Sequence, residues 1–246
     1  MAVKPAARRS RGNPRLRAEV QLARLTEGTF SVSASRYLRR FFIRFTRHAG
    51  RHFPWRRPRI SAYQMLLVEV LLRQTNAESV AKVWVMLVRA YPTPATLASA
   101  RLIDLRRTLR PLGLHKQRAR SLKAIARTLV RRFDGEVPDR LDQLLSIPHI
   151  GLYSASALLS FKWEQRVPIV DTNVIRVLSR LTGIALARDL RRDTRAWSLA
   201  WGLLPRRHVA QHNYGLLDFG ALVCTSNSPR CATCGVLAHC KYGSGR

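Results

Sequence analysis

Four cysteines near the end of the chain constrain its fold most strongly. Cys224, Cys231, Cys234 and Cys240 are the only cysteines among the 246 residues, and they lie in the pattern C-x6-C-x2-C-x5-C. Thiols this close together in a reducing compartment are expected to share one metal centre rather than to form disulfides. A zinc ion and a [4Fe-4S] cluster both accept four sulfurs, so the spacing leaves both open. Either way, this segment must wrap around a metal.

The chain also carries a large excess of positive charge. Its 44 Lys and Arg residues outnumber 14 Asp and Glu residues, which gives a formal charge of +30. So much positive charge repels itself unless a polyanion offsets it, which favours a nucleic-acid partner. The alternatives are a highly basic proteome or a protein-binding surface. Residues 1–32 hold seven basic and two acidic residues, so only +5 of the charge belongs to this segment.

Composition and hydropathy exclude several classes of protein. With 46% hydrophobic residues, 13 Gly and 12 Pro, the chain is neither disordered throughout nor collagen-like. No run approaches the roughly 18 to 20 apolar residues of a membrane span, and no apolar signal segment follows the basic start. We therefore expect a soluble intracellular protein, cytoplasmic or nucleoid-associated, that does not bind membranes.

Hydrophobic periodicity predicts an all-α fold. The segment SRYLRRFFIRFTRHAG predicts a first helix, with Ser33 or Ser35 as its N-cap and Gly50 at its end. No convincing strand alternation appears, although VPIV before Asp171 could be extended. Further helical stretches are expected at about 61–73, 77–90, 94–99, 102–109, 116–132, 139–145, 152–161 and 172–181.

Two segments in the second half of the chain carry recognisable motifs. LLSIPHIGLYSAS at 144–156 is similar to a helix-hairpin-helix, whose tight turn directs backbone N–H groups at a DNA phosphate. VPIVDTNVIRVLSR at 167–180 places Asp171 directly before a helix. Taken by itself, an aspartate at this position is typical of a plain N-cap.

Glu69 is the second informative acid. No Asp or Glu lies between Glu27 and Glu69, and Glu69 stands in the apolar run MLLVEVLL. Burying an unpaired carboxylate there would be costly. The structural interpretation is an i to i+4 ion pair with Arg73.

Four motifs in this order resemble the endonuclease III and adenine-DNA glycosylase superfamily of base excision repair over about residues 35–242. They are FPWR at 53–56, EVLLRQT at 69–75, the hairpin followed by VDTNVIRVLSR, and the cysteine pattern. The resemblance implies two helical lobes and a [4Fe-4S] cluster on the four cysteines. Three segments are then expected: a flexible basic arm at 1–32, a helix-hairpin-helix lobe at 57–182, and a cluster lobe built from 33–56 plus 183–246.

The resemblance also implies DNA-binding residues. Gln74 stands where the family inserts a side chain into the gap left by the flipped base, Leu114 stands at the wedge position, and Gly151 stands in the hairpin that grips DNA. Arg73, beside Gln74, belongs to the same expected set. His149 stands where the hairpin usually has its first glycine, which predicts a strained turn or an altered phosphate contact.

The implied chemistry is release of a base from DNA. A glycosylase flips the nucleotide into a pocket and breaks its N-glycosidic bond, and a carboxylate beside the sugar stabilises the resulting cation. Asp171 stands at the family's catalytic aspartate, and Glu69 stands at a glutamate that acts on the base. Tyr153 stands where endonuclease III has its Schiff-base lysine. Because Tyr153 has no amine, a monofunctional enzyme is expected.

The expected substrate is double-stranded DNA with a mismatched or damaged base, bound by a monomer. The combination of Glu69, Tyr153 and Asp171 resembles the G/T-mismatch thymine-DNA glycosylases, which remove thymine or uracil opposite guanine. Adenine glycosylases usually have Ser at the position of Tyr153 and carry an extra C-terminal domain, whereas this chain ends six residues after Cys240. The alternatives are an adenine glycosylase, a bifunctional enzyme for oxidised pyrimidines, and a non-catalytic DNA-binding protein.

Overall fold

The structure is a computed structural model that describes residues 29–187 and 194–245. Within these residues the chain is helical and contains no β-strand, as the periodicity predicted. The expected basic arm lies outside the described residues up to residue 28. The α-helices, numbered in chain order, are α1 Val32–Ala49, α2 Ala62–Leu71, α3 Ala77–Ala90, α4 Pro94–Ser99, α5 Leu102–Leu109, α6 His115–Arg132, α7 Leu141–Leu145, α8 Leu152–Trp163, α9 Thr172–Thr182, α10 Thr194–Leu203, α11 Val209–Leu222 and α12 Lys241–Ser244.

The first helix begins earlier than its sequence pattern suggested. Its N-cap is Ser31, whose hydroxyl accepts a hydrogen bond from the backbone N–H of Ala34 at 3.1 Å. The prediction of Ser33 or Ser35 as the cap was therefore wrong, because both residues lie inside α1. The predicted end at Gly50 is confirmed. A Cβ atom there would lie 2.4 Å from the carbonyl oxygen of Thr46, so only glycine fits.

Helix α2 forms the centre of a first hydrophobic cluster. Its residues from Met65 to Leu71 are all buried, and it packs against α3, α6 and α8. The cluster takes its buried side chains from residues between Trp55 and Leu159. A helix buried on nearly every side offers water no access, so a polar residue within it is shielded from solvent.

A second hydrophobic cluster joins the start and the end of the described chain. Leu38 and Phe42 of α1 pack with apolar residues of α9, α10 and α11, and three of the cysteines lie at its edge. Helix α8 lies between the clusters, with Leu158 in the first and Ala157 in the second. The lobe boundaries expected near residues 57 and 182 stay a prediction, and the buried face of α9 belongs to the second cluster.

None of the helices in 29–187 and 194–245 is long and apolar enough to cross a membrane.

Candidate active site

Glu69 is buried in the middle of α2. Only 4% of the residue is exposed, and among the described residues its Oε2 atom has no hydrogen-bond partner. Burial raises the pKa of this carboxyl to about 8, although the charge of Arg73 lowers it in part. The carboxyl therefore holds its proton at neutral pH and can act as a hydrogen-bond donor.

Arg73 directs its guanidinium away from a pairing with Glu69. Its Nη2 atom donates to the carbonyl oxygen of His149 and, at 3.3 Å, to the hydroxyl of Ser154. The hydrogen bonds that the i to i+4 interpretation assigned to Glu69 are thus made to the hairpin instead. Oε2 of Glu69 is therefore left without a hydrogen-bond partner among the described residues.

Asp171 is the N-cap of α9. Its Oδ1 atom accepts from the backbone N–H of Val174 at 2.7 Å, and Oδ2 accepts from the side-chain amide of Asn173 at 2.9 Å. Burial raises the pKa of Asp171, while these two hydrogen bonds and the charge of Arg176 oppose the rise. The capping role is therefore real, and it fixes the orientation of a carboxylate that the helix N-terminus stabilises.

Tyr153, in the first turn of α8, brings the two acids into one site. Burial raises the pKa of its phenol well above the ordinary value, and the charges of Glu69 and Asp171 raise it further. Tyr214 contributes in the same direction. Since charges influence a buried group strongly only at short range, Glu69, Asp171 and Tyr214 all lie near the phenol of Tyr153.

Tyr214 is the third of these neighbours of Tyr153, and the sequence pattern did not single it out. Its ring stacks on Phe161 with centroids 3.8 Å apart and planes 3° apart, and the guanidinium of Arg56 lies 4.1 Å from the ring centroid. Burial raises the pKa of its phenol above the ordinary value. None of the four motifs includes Tyr214, and a tyrosine on a buried helix was the available signal.

Arg56, whose guanidinium lies over the ring of Tyr214, also belongs to a buried cluster of ion pairs. Asp218 is fully buried and accepts hydrogen bonds from Arg56 at 2.6 and 2.9 Å and from the Arg51 side chain at 2.7 Å. Burial alone would raise the pKa of Asp218, but the hydrogen bonds and charge of Arg56, together with Arg51, hold the pKa below its ordinary value. The FPWR motif is thereby fixed to α11.

The predicted DNA-binding residues lie in exposed turns. Gln74, Leu114 and His149 all have positive φ angles, of 54°, 47° and 63°. This left-handed conformation costs a residue other than glycine roughly 1 to 2 kcal/mol, and it confirms the strained turn expected at His149. Leu114 is also 52% exposed. At Gly151 a Cβ atom would meet no other atom within 4 Å, so the hairpin backbone is open to a ligand.

The four cysteines line one cavity between α9, the end of α11 and the loop that follows. None forms a disulfide. Nη1 of Arg180 donates to Sγ of Cys224 at 3.3 Å, and Sγ of Cys240 donates to the carbonyl of Arg180 at the same distance. The described residues contain no group of three or more His, Cys, Asp or Glu side chains placed to hold a single metal ion. The four free thiols that line the cavity nevertheless match the donor set of an iron-sulfur cluster.

A chain of hydrogen bonds connects the cysteine loop to Asp171. Arg176 donates through Nε to the carbonyl of Cys224 at 2.8 Å and through Nη2 to Oδ1 of Asn173 at 2.9 Å. Asn173 in turn donates to Asp171. Nη2 of Arg176 also donates to the carbonyl of Gly220 at 2.6 Å. The position of the acid therefore depends on the fold of the metal-site segment.

This fold and site define a family. The model of the HhH-GPD superfamily of base excision DNA repair proteins matches residues 67–198, and the chain belongs to that superfamily. The match includes Glu69, the hairpin and Asp171. The resemblance inferred from the four sequence motifs is confirmed.

The relatives are named DNA glycosylases, which supports the predicted activity. The chain is 36% identical over 196 residues to the thymine/uracil-DNA glycosylase of Pyrobaculum aerophilum, covering 78% of this chain and 85% of the relative. It is 34% identical over 209 residues to the thymine-DNA glycosylase of Aeropyrum pernix, covering 83% and 93%. The adenine DNA glycosylase of Mycolicibacterium smegmatis is 38% identical over 198 residues, but the match spans 66% of that protein and 80% of this chain.

Solved structures agree with this assignment. A thermostable thymine-DNA glycosylase superposes with a TM-score of 0.82 at 28% identity, covering 87% of this chain and 98% of that one. Endonuclease III superposes with a TM-score of 0.75 at 24% identity, covering 88% and 99%. The second comparison shows the fold alone, and it confirms the predicted fold class.

Proposed function

We propose that the protein is a monofunctional DNA glycosylase that removes thymine or uracil mispaired with guanine. The observation that carries the proposal is the contrast between the settings of Glu69 and Asp171, both of which lie near the buried phenol of Tyr153. One acid is buried with an oxygen that has no partner among the described residues, and the other is fixed by two hydrogen bonds at a helix N-terminus. Two carboxyl groups with such different environments suit the two roles that the reaction needs.

Asp171 acts on the sugar. When the bond between C1′ and N1 of the flipped nucleotide breaks, the bonding electrons leave with the base and the sugar becomes an oxocarbenium ion. The ionised carboxylate of Asp171 stabilises that positive charge, and water then adds its oxygen to C1′. The hydrogen bonds from Val174 and Asn173 keep the carboxylate in place, so little reorganisation is needed during the reaction.

Glu69 acts on the departing base. A thymine or uracil anion carries its negative charge on N1 and on its two carbonyl oxygens, and a neutral carboxyl can donate a hydrogen bond or a proton to it. The pKa of about 8 keeps Glu69 protonated for this purpose. The attacking water loses one proton at C1′: this proton neutralises the base anion if Glu69 has only donated a hydrogen bond, and it restores the Glu69 carboxyl if Glu69 has given its proton to the base.

The donors in the site favour a pyrimidine. The phenols of Tyr153 and Tyr214 and the protonated Glu69 can all donate, which matches the acceptors O2 and O4. The thymine and thymine/uracil glycosylases among the relatives support this choice. The 38% identity to the M. smegmatis enzyme makes adenine removal the second candidate.

The absence of an amine at position 153 supports a purely hydrolytic reaction. Lys162, nine residues along the same helix, donates its ammonium to the carbonyl of Ile60 at 2.5 Å. An amine held in this way is not free to attack C1′, so no covalent imine is expected and the DNA strand stays intact.

A [4Fe-4S] cluster on Cys224, Cys231, Cys234 and Cys240 is part of the proposal. Bound there, it would hold the segment after α11 rigid, and Arg176 would transmit that rigidity to Asp171. It takes no part in the hydrolysis itself. The protein is proposed to act as a monomer on double-stranded DNA, associated with the nucleoid.

The test is single-turnover base release from duplexes containing T·G, U·G, A·G, A·8-oxoguanine or thymine glycol, with alkali to reveal abasic sites. We expect release of thymine and uracil, and no trapping of the protein on DNA by borohydride. Asp171→Asn keeps an N-cap side chain and is expected to reduce release at least about 100-fold. Preferred release of adenine would establish the second candidate, strong borohydride trapping would contradict the monofunctional mechanism, and no release from any duplex would favour a non-catalytic DNA-binding protein.

A further inference from the structure

Three exposed turns share an unusual backbone conformation. Gln74, Leu114 and His149 lie in separate loops, after α2, before α6 and between α7 and α8, and each is a left-handed residue other than glycine. Such strain persists only where the surrounding structure fixes it. Something in the fold must therefore hold each of these turns.

Arg118 holds the first two turns together. Only 5% of this arginine is exposed, and its guanidinium donates to the carbonyl of Leu71, to the carbonyl of Arg73 at 2.7 Å and to the hydroxyl of Thr75 at 2.5 Å. These acceptors flank Gln74 on both sides. The backbone N–H of Arg118 donates to the carbonyl of Leu114 at 2.9 Å, so Arg118 belongs to the first turn of the helix that Leu114 caps.

Arg73 extends the connection to the third turn. Its guanidinium donates to the carbonyl of His149 and to the hydroxyl of Ser154. Burial lowers the pKa of Arg118, and the charge of Arg73 lowers it further, which places the two guanidinium groups close together. Each guanidinium satisfies backbone carbonyls of these turns, which offsets the repulsion between the two like charges.

We propose that Arg118 is a positioning residue that joins the turns of Gln74 and Leu114 into one rigid frame, to which Arg73 attaches the hairpin turn. The three turns would contact the duplex together. Gln74 would then fill the gap and Leu114 would wedge the strand at the same time as the base leaves the stack. The inference rests on the proposed function, because its ligand is a duplex with one extruded nucleotide. It predicts a defect in extrusion and not in bond cleavage.

The experiment compares two uracil substrates. In one, uracil is paired opposite guanine, and in the other it lies in an unpaired bubble, where extrusion needs no partner to be displaced. Arg118→Lys and Arg118→Gln are expected to slow release from U·G about tenfold or more, since loosened positioning can cost up to about 100-fold. Release from the bubble should stay within about threefold of the unaltered protein, because the pocket is unchanged.

Lys123→Gln is the matched control. Lys123 lies on the same helix and also donates to a backbone carbonyl, that of Ala100, but it does not contact the three turns. Lys123→Gln should lose a similar amount of thermal stability. It should nevertheless release uracil from both substrates at the rate of the unaltered protein. An equal loss on both substrates in the Arg118 variants, or no loss on either, would overturn the proposal.

A second readout keeps this inference separate from the proposed activity. 2-Aminopurine placed beside a mismatch becomes more fluorescent when the neighbouring stack opens, whether or not a bond is cut. If the unaltered protein releases neither uracil nor thymine, the proposed function fails. The frame then stands if the protein raises the fluorescence and the Arg118 variants do not, and it falls if they behave alike or if the protein causes no rise.

Discussion

Glu69 shows how burial changes what one residue can do. Because its pKa is raised to about 8, the carboxyl of Glu69 is protonated near neutral pH and can donate a hydrogen bond. Release of the base should therefore fall as the pH rises through about 8. Glu69→Gln keeps a donor that does not titrate, and we expect it to be slower but to lose the decline above pH 8. The measurement is the single-turnover rate between pH 6 and 9.5. A decline that persists unchanged in the Gln variant would show that another group titrates.

The same pKa predicts a pH-dependent stability. Between the ordinary pKa of 4.5 and the raised pKa of about 8, the folded protein holds a proton that the unfolded chain releases. Stability therefore falls as pH rises through this window, and the full cost is present above pH 8. Glu69→Gln should raise the free energy of unfolding at pH 8.5 by up to roughly 5 kcal/mol and should give no gain at pH 4. Denaturant titrations at the two pH values provide the check, and an equal gain at both would contradict it.

At the scale of an element, the hairpin between α7 and α8 contains Gly151, whose backbone conformation is one that any residue can adopt. Gly151 has an ordinary φ of −98° and open space around its Cβ position. Gly151→Ala should leave thermal stability unchanged or slightly higher. It should weaken duplex binding, because the added methyl occupies the approach of a phosphate to the first N–H groups of α8.

Gly202→Ala is the control for this substitution. A Cβ atom at Gly202, in α10, also meets nothing within 4 Å, and this variant should keep full affinity. Fluorescence anisotropy with an undamaged duplex at two salt concentrations measures both proteins. Equal affinity of Gly151→Ala and the unaltered protein would mean that the hairpin does not grip the backbone.

The elements themselves were largely predictable because hydrophobic periodicity and capping are local properties. The stretches expected at 77–90, 94–99 and 102–109 match α3, α4 and α5. Errors arose at helix ends: α2 was extended to 73, whereas it ends at Leu71 before the left-handed Gln74. A conformation fixed by Arg118, more than forty residues away in the chain, leaves no local pattern.

Contacts between distant segments explain what the sequence did not reveal about the site. Glu69, Tyr153 and Asp171 were identified through ordered motifs, and their roles stay a prediction, although both acids lie near enough to Tyr153 to raise its pKa. Tyr214 was missed because its role depends on Arg56, which reaches α11 across most of the chain. Neither residue stands in a pattern whose spacing predicts the other.

At the scale of the whole molecule, a buried ion-pair cluster joins the first part of the described chain to α11. Asp218 of α11 binds Arg51 and Arg56, which follow α1. The surroundings of Tyr214, whose ring Arg56 contacts, therefore require both segments to be in place. Removing one partner of a buried ion pair costs roughly 3 to 5 kcal/mol, so this connection contributes to the site and to stability together.

The cysteine loop meets the same site through two arginines of α9 that differ in what they reach. Arg176 and Arg180 lie one turn apart, and both donate to backbone carbonyls of the loop, those of Cys224 and Thr225 respectively. Only Arg176 also donates to Asn173 and so reaches Asp171. Variants of these two arginines therefore distinguish two roles: both side chains hold the loop, but only Arg176 also orients Asp171.

Arg176→Lys retains the charge but cannot make all three hydrogen bonds, so Asp171 should lose its fixed orientation. We expect base release per bound iron to fall about tenfold, with duplex affinity nearly unchanged. Arg180→Lys should instead make the proposed iron-sulfur cluster more sensitive to oxidation, followed by its visible absorbance, while release per bound iron stays normal. Equal release per iron in the two variants would show that the loop acts on Asp171 by another route, since Arg176 and not Arg180 donates to Asn173.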